Sequence, residues 1–219
     1  MRGQLRGFGP VGIVAFAAIV LSGTITVGRV ALPLSALLAL IWAWGSGTPW
    51  SAMGYVRPRN WIGGIAAGIA IGVALKFVMK AAVMPMFGAD PINRAYQDLA
   101  GNRALLPAAV WMMIVAGFGE ETVFRGFLFE RFGALLGRRR GATAAIVILT
   151  SVLFALAHVA DQGLPGAEQA AITGLVFGSI FAATGSLWIP IWAHTAFDLT
   201  ALAMIYWGLE SPIAHLIFR

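Results

Sequence analysis

The chain has 219 residues, 59% of them hydrophobic and only 11% charged, with a mean hydropathy of +0.84. Soluble domains carry roughly 25% charged residues, so this chain cannot cover a particle of its size with polar groups, and lipid is the solvent its composition fits. The net charge of +6 would fit nucleic acid in a soluble protein, but here the basic residues sit in short links between apolar runs. No basic face interleaved with aromatics accompanies them, so no nucleic-acid partner is expected. Cysteine is absent, which excludes disulfides, a thiol nucleophile and thiolate metal ligands.

Apolar runs fall at about 11–28, 30–45, 61–79, 106–136, 142–160, 168–185 and 187–208. None alternates with the period of a barrel strand, and in hydrocarbon only helices or closed barrels satisfy their backbone groups. The expectation is an all-α polytopic membrane protein: one transmembrane domain over 1–219, a bundle of about seven helices (six to eight). Arg2 and Arg6 precede the first run as in a signal peptide, but no small-x-small cleavage site closes it before Val30, so a retained helix is expected. The second run is short and carries Pro33, which favours a tilted or interfacial helix.

The third run places Gly64, Gly68 and Gly72 one turn apart, a small-residue face that admits another backbone. Close packing within one bundle and a homodimer contact both use such a face, so the chain is expected as a monomer or a homodimer. Lys76, near the end of this run, is expected to snorkel to the interface. The fourth run would extend about 46 Å as a helix, against a hydrocarbon core near 30 Å, so its C-terminal part with Glu130 and Arg131 should project from the bilayer. By parity of links, Arg2, Arg6, Arg57, Arg59, Arg131 and Arg138 to Arg140 share one side. Arg29, Lys80, Arg94 and Arg103 share the other, with Asp90 and Asp98. The positive-inside bias predicts a cytoplasmic N-terminus, in what is read as a prokaryotic plasma membrane. No internal repeat of the kind found in many secondary transporters is evident.

Ionisable residues inside apolar runs are costly and mark functional sites. Here they are Glu120, Glu121 and Arg125 in the fourth run, His158 at the end of the fifth, and His194 and Asp198 in the seventh. Glu121 and Arg125, four apart with the acid first, are in the favourable order for a helical ion pair. Glu120 is rotated by about 100° from Glu121. The two carboxylates therefore divide their work: Glu121 is neutralised by Arg125 and supports the helix, while Glu120 is left to accept a proton. Phe154 lies one turn before His158 on the same face, and His194 and Asp198 repeat that spacing. Asp198 either orients His194 or contacts the reacting group. The His-Glu-x-x-His metal helix is missing, and Ser151, about 10 Å from His158 along its helix, is too far to act as its nucleophile.

Glu120-Glu121-x-x-x-Arg125, Phe154-x-x-x-His158 and His194-x-x-x-Asp198, in that order on separate helices, resemble the motif set of the CAAX protease and bacteriocin-processing (CPBP, or Abi) family over residues 106–200. The resemblance implies an intramembrane endopeptidase related to the type II CAAX prenyl endopeptidase, which removes three residues after a prenylated cysteine. Its substrates would be prenylated proteins or other membrane peptides, such as bacteriocin leaders. By this similarity Glu120 and His158 activate water, while His194 and residue 198 stabilise the oxyanion. The family's best-studied eukaryotic branch has Asn where this chain has Asp198. An ionised Asp cannot donate, so Asp198 either acts protonated or orients His194 as the donor. The resemblance also leaves open a metalloprotease in which Glu120, His158 and His194 hold Zn²⁺; the metal-free glutamate mechanism, with no cofactor, is preferred. Two other classes remain: a proton-coupled transporter using the Glu, His and Asp groups as a relay, and a non-catalytic membrane scaffold.

Overall fold

The computed structural model describes residues 1–23, 34–137 and 139–218, and every regular element among them is helical. A short helix, α1 (Arg2–Arg6), precedes α2 (Pro10–Ser22) and α3 (Leu34–Ser46). The meeting point of the first two apolar runs, with Arg29, Val30 and Pro33, lies outside the described residues, as does Arg138. Next comes α4 (Trp61–Met86), which continues through a π-turn at Met79–Val83. Asn60 starts it, its side chain accepting from Gly63 N at 2.9 Å. The long fourth run forms α5 (Leu106–Leu136), with Pro107 in its first turn, where no amide donor is lost, and a π-segment at Thr122–Phe127.

Helical hydrogen bonding runs from Arg140 to Thr184, but Gly163, at φ 66° and ψ −165°, reverses the chain. A Cβ on Gly174 would lie 3.0 Å from that of Ser151, and one on Gly178 3.2 Å from Val147 Cγ1. In one straight helix residues 151 and 174 would stand about 34 Å apart. The segment is therefore an antiparallel hairpin, α6 (140–162) and α7 (164–184), which matches the two runs expected there. It is followed by α8 (Trp188–Tyr206) and a short α9 (Glu210–Ala214).

Helix α8 is the hub. Gly68 meets Ile189 and Trp192, and Gly72 meets the Ala193 carbonyl so closely that a Cβ would collide with it. The register advances in step, so α4 and α8 are parallel. Gly117 packs on Thr195 while Ala109 packs with Leu202 and Ile205, so α5 is antiparallel to α8. Two of the three stripe glycines are thus used inside the chain; only Gly64 has open space beside it. Helices α2 to α8 alternate in direction, which gathers Arg2, Arg6, Arg57, Arg59, Arg131, Arg139 and Arg140 at one end of the bundle, opposite the link that precedes α5.

The outer surface is apolar. On α6, Val147, Ser151, Phe154 and His158 turn inward, while Ile148, Val152, Leu156 and Val159 are exposed at helical spacing. Such a stripe is a lipid-facing one. Three helical runs, Trp61–Met86, Leu106–Leu136 and Arg140–Thr184, are long and apolar enough to cross a membrane, the last as a hairpin; α2 and α3 have 13 described residues each. The C-terminal part of α5, expected to project from the bilayer, is covered by protein: Glu130 and Arg131 are buried under the N-terminal segment. Arg6 pairs with Glu130 at 3.6 Å, and the Arg131 guanidinium stacks on Phe8 and Trp42, at 4.3 and 5.2 Å.

Candidate active site

The site forms where the π-segment of α5 faces α6, α7 and α8. A π-turn widens the helix locally and frees its usual carbonyl pairing. Here Thr122 stabilises it, donating to the Phe118 carbonyl at 2.7 Å and sharing a 2.6 Å hydrogen bond with the Tyr55 hydroxyl. On its flank Glu121 and Arg125 form the expected pair at 2.7 Å, both with no exposed side-chain surface. Arg125 also donates to the Gly174 carbonyl at 3.1 Å and lies over the Phe154 ring at 4.7 Å. A guanidinium offers five donors in a plane, so one side chain ties α5 to α7 while stacking on α6.

Glu121 has a second partner. His194 Nδ1 meets the same Oε1 at 2.8 Å. A carboxylate paired with Arg accepts, so Nδ1 carries the proton and Nε2 turns into the cavity. The imidazole is fixed further by Phe177, stacked at 5.3 Å, and by the edge of Phe154 at 5.8 Å. Asp198 instead lies 3.4 Å from Nε2. The hydrogen bond that orients His194 through Nδ1 therefore comes from Glu121, a role the sequence reading offered to Asp198. Its physical basis is the position of Asp198 one turn along the same helix, on the far side of the ring.

Glu120 points the other way, as its 100° rotation requires. Its Oε2 lies 3.7 Å from His194 Nε2 and 4.0 Å from His158 Nε2, and it is buried without a hydrogen-bond partner among the described residues. His158 Nδ1 meets the Phe154 carbonyl at 2.8 Å; a carbonyl only accepts, so Nδ1 donates and the neutral ring offers a bare Nε2 lone pair toward Glu120. Separations near 4 Å between polar groups leave room for a bridging water or a substrate atom. Phe154, 2% exposed, is the shared wall, edge-on to His158 at 4.6 Å.

Glu120, Phe154, His158, His194 and Asp198 all line one cavity of about 200 Å³. Glu121 and Arg125 sit behind it, fully buried. The cavity reaches the end of the bundle opposite the arginines, where Asn93, Tyr96 and Leu99 of the preceding link border it. Burial pushes the Tyr96 phenol up to about 12, so it stays a neutral hydroxyl, bonded to Gln162 at 3.2 Å. Sequence reasoning missed Phe177, the Gly174 carbonyl and Lys76. Lys76 does not reach the interface: it is 6% exposed and turned into the cavity. The small residues Gly174 and Gly178 around Phe177 were the available signal for a close helix approach. Among the described residues no group of three or more His, Asp or Glu is placed to hold a metal ion.

Fold and site together define an all-helical membrane protein with a buried Glu–Arg–His centre beside a second, unpartnered Glu. Residues 102–200 match the family model described as type II CAAX prenyl endopeptidase Rce1-like, and this segment carries all three motifs. The uncharacterised protein YyaK of Bacillus subtilis (strain 168) is 29% identical over 157 residues, covering 65% of this chain and 51% of that protein, so the chain spans about half the length of this curated relative. No solved structure matches.

Proposed function

We propose that the protein is an intramembrane endopeptidase that hydrolyses a peptide bond with a water activated by Glu120 and His158. The observation that carries this is the unpartnered Glu120 Oε2, set 4.0 Å from His158 Nε2 and 3.7 Å from His194 Nε2. Water in that gap donates to the carboxylate and to the bare His158 nitrogen, and its oxygen attacks the scissile carbonyl. The proton taken up by Glu120 or His158 then passes to the leaving amine. His194, held through Nδ1 by Glu121 and protonated at Nε2, donates to the oxyanion, a contribution of several kcal/mol when the donor is preorganised. Asp198 stands beside Nε2 and balances that charge. The substrate is a prenylated, CAAX-type protein or another membrane peptide, and residues 106–200 form the catalytic core.

The bundle end that gathers the arginines is the cytoplasmic one on this reading, which turns the cavity mouth to the opposite face. The chain has no cysteine, so Ser51→Cys and Ala95→Cys report the two ends separately; labelling of Ser51→Cys by an impermeant maleimide on intact cells would reverse the orientation.

The test of activity uses purified protein in detergent and a fluorescent peptide ending in S-farnesylcysteine and three aliphatic residues. Glu120→Ala should abolish cleavage while the protein stays folded; general acid–base groups contribute about 10²- to 10⁴-fold. Full activity of that variant sinks the assignment, as does proton flux through proteoliposomes without cleavage of any peptide. Activity lost in a chelator and restored by Zn²⁺ overturns the metal-free mechanism.

A further inference from the structure

Lys76 is a buried ammonium that the proposed hydrolysis does not use. It reaches into the cavity from α4, one turn beyond Gly72, whose contacts with Ala193 and Phe197 set it level with the Asp198 turn of α8. Its Nζ donates to one neutral acceptor, Gln169 Oε1, at 3.0 Å, and lies over the Phe197 ring at 4.7 Å. No carboxylate among the described residues forms an ion pair with it. Asp198 and Glu210 act on it only at longer range. Asp198 is spent on His194 at 3.4 Å, and Glu210 on Lys80 at 2.9 Å.

A lysine has three donors, and an unpaired charge inside a membrane protein is expensive unless a counter-ion arrives. Lys76 stands between two adjoining cavities. One holds Glu120 and the histidines; the other, also about 200 Å³, runs past Gln169 toward Pro91 and Asn93. A chain lying across Glu120 with its end in the second cavity would bring an anionic terminus to the ammonium. We propose that Lys76, with Gln169 beside it, is the subsite for a free C-terminal carboxylate of the peptide, and so fixes how far from that terminus the bond is cut. This rests on the peptidase reading of the same cavity.

The probe is the dansyl-labelled S-farnesylcysteine peptide with three aliphatic residues, made as the free acid and as the C-terminal amide. The wild type should cleave the acid about 10- to 100-fold more efficiently in kcat/KM, the range for a hydrogen-bonded charge pair, with the difference in KM. Lys76→Met should bring the acid down to the level of the amide, and Lys76→Arg should keep a preference. Equal cleavage of acid and amide by the wild type overturns the subsite and needs no variant to fold. Binding of both peptides to Glu120→Gln, read by dansyl fluorescence, separates the two readings. Tighter binding of the acid by this variant, with no cleavage of either peptide by the wild type, supports the subsite and removes the protease; equal binding, or binding of neither, overturns the subsite.

Discussion

Besides the Glu130–Arg131 pair under the N-terminal segment, two places where the described residues bury an acid against a cation border the cavity, and they are built differently. At the centre, Glu121 pairs with Arg125 at 2.7 Å with both side chains fully enclosed, and the same oxygen takes His194. At the end of the bundle where the cavity opens, Glu210 pairs with Lys80 at 2.9 Å with side-chain exposures of 8% and 11%, and also accepts from Asn93 N and Gln97 Nε2. The first network uses a rigid guanidinium and three packed helices, so its geometry is set to fractions of an ångström where a reacting atom must sit. The second uses a lysine and backbone, so it straps the link before α5 and the short α9 to α4 without fixing any ring. A buried ion pair is weak evidence for stability in itself. What each one holds in place says what it is for.

Breaking the central network should cost the most. Arg125→Met removes the guanidinium from the enclosed Glu121 carboxylate and leaves it only His194, a loss of about 3–5 kcal/mol, read as a lower thermal midpoint in detergent and a lower yield. Glu121→Gln separates positioning from packing. The amide still accepts from His194 but cannot neutralise Arg125, and the imidazole loses its charged anchor, as when a buried aspartate behind a catalytic histidine is amidated. Cleavage should fall on the order of 100-fold in kcat with KM nearly unchanged. A fall confined to KM, or one that follows the unfolded fraction, would reduce Glu121 to a packing residue.

The sequence made local features legible and left the distant ones hidden. The apolar runs, the break between α6 and α7 and the Glu121–Arg125 pair depend on neighbours within a turn or two, and periodicity reports those. That three motifs belong together was readable from their chemistry. His194 choosing Glu121 over Asp198 was not, because Glu121 stands 73 positions away, while the one-turn rule only says that Asp198 shares the helix face. The π-segment escaped because a 3.6-residue period is assumed in every helical-wheel argument. Lys76 was misplaced for a related reason. Its position near a run's end favours snorkelling, but Gly72 draws α4 so close to α8 that the side chain is caught inside.

The peripheral strap supplies the smaller effects. Glu210→Gln removes the charge that Lys80 pairs with but keeps an acceptor for Asn93 N. It leaves Lys80 its bond to the Pro91 carbonyl, at 2.6 Å. The expected loss is about 1–3 kcal/mol, below that of Arg125→Met, and it should be local. Hydrogen exchange should quicken through residues 90–99, which border the cavity, while the core of α5 and α8 stays protected and kcat/KM changes by only a few-fold. If Glu210→Gln instead lowered kcat as far as Glu121→Gln, the strap would be part of the catalytic geometry, and the distinction between a network that aims a ring and one that ties a link would fail.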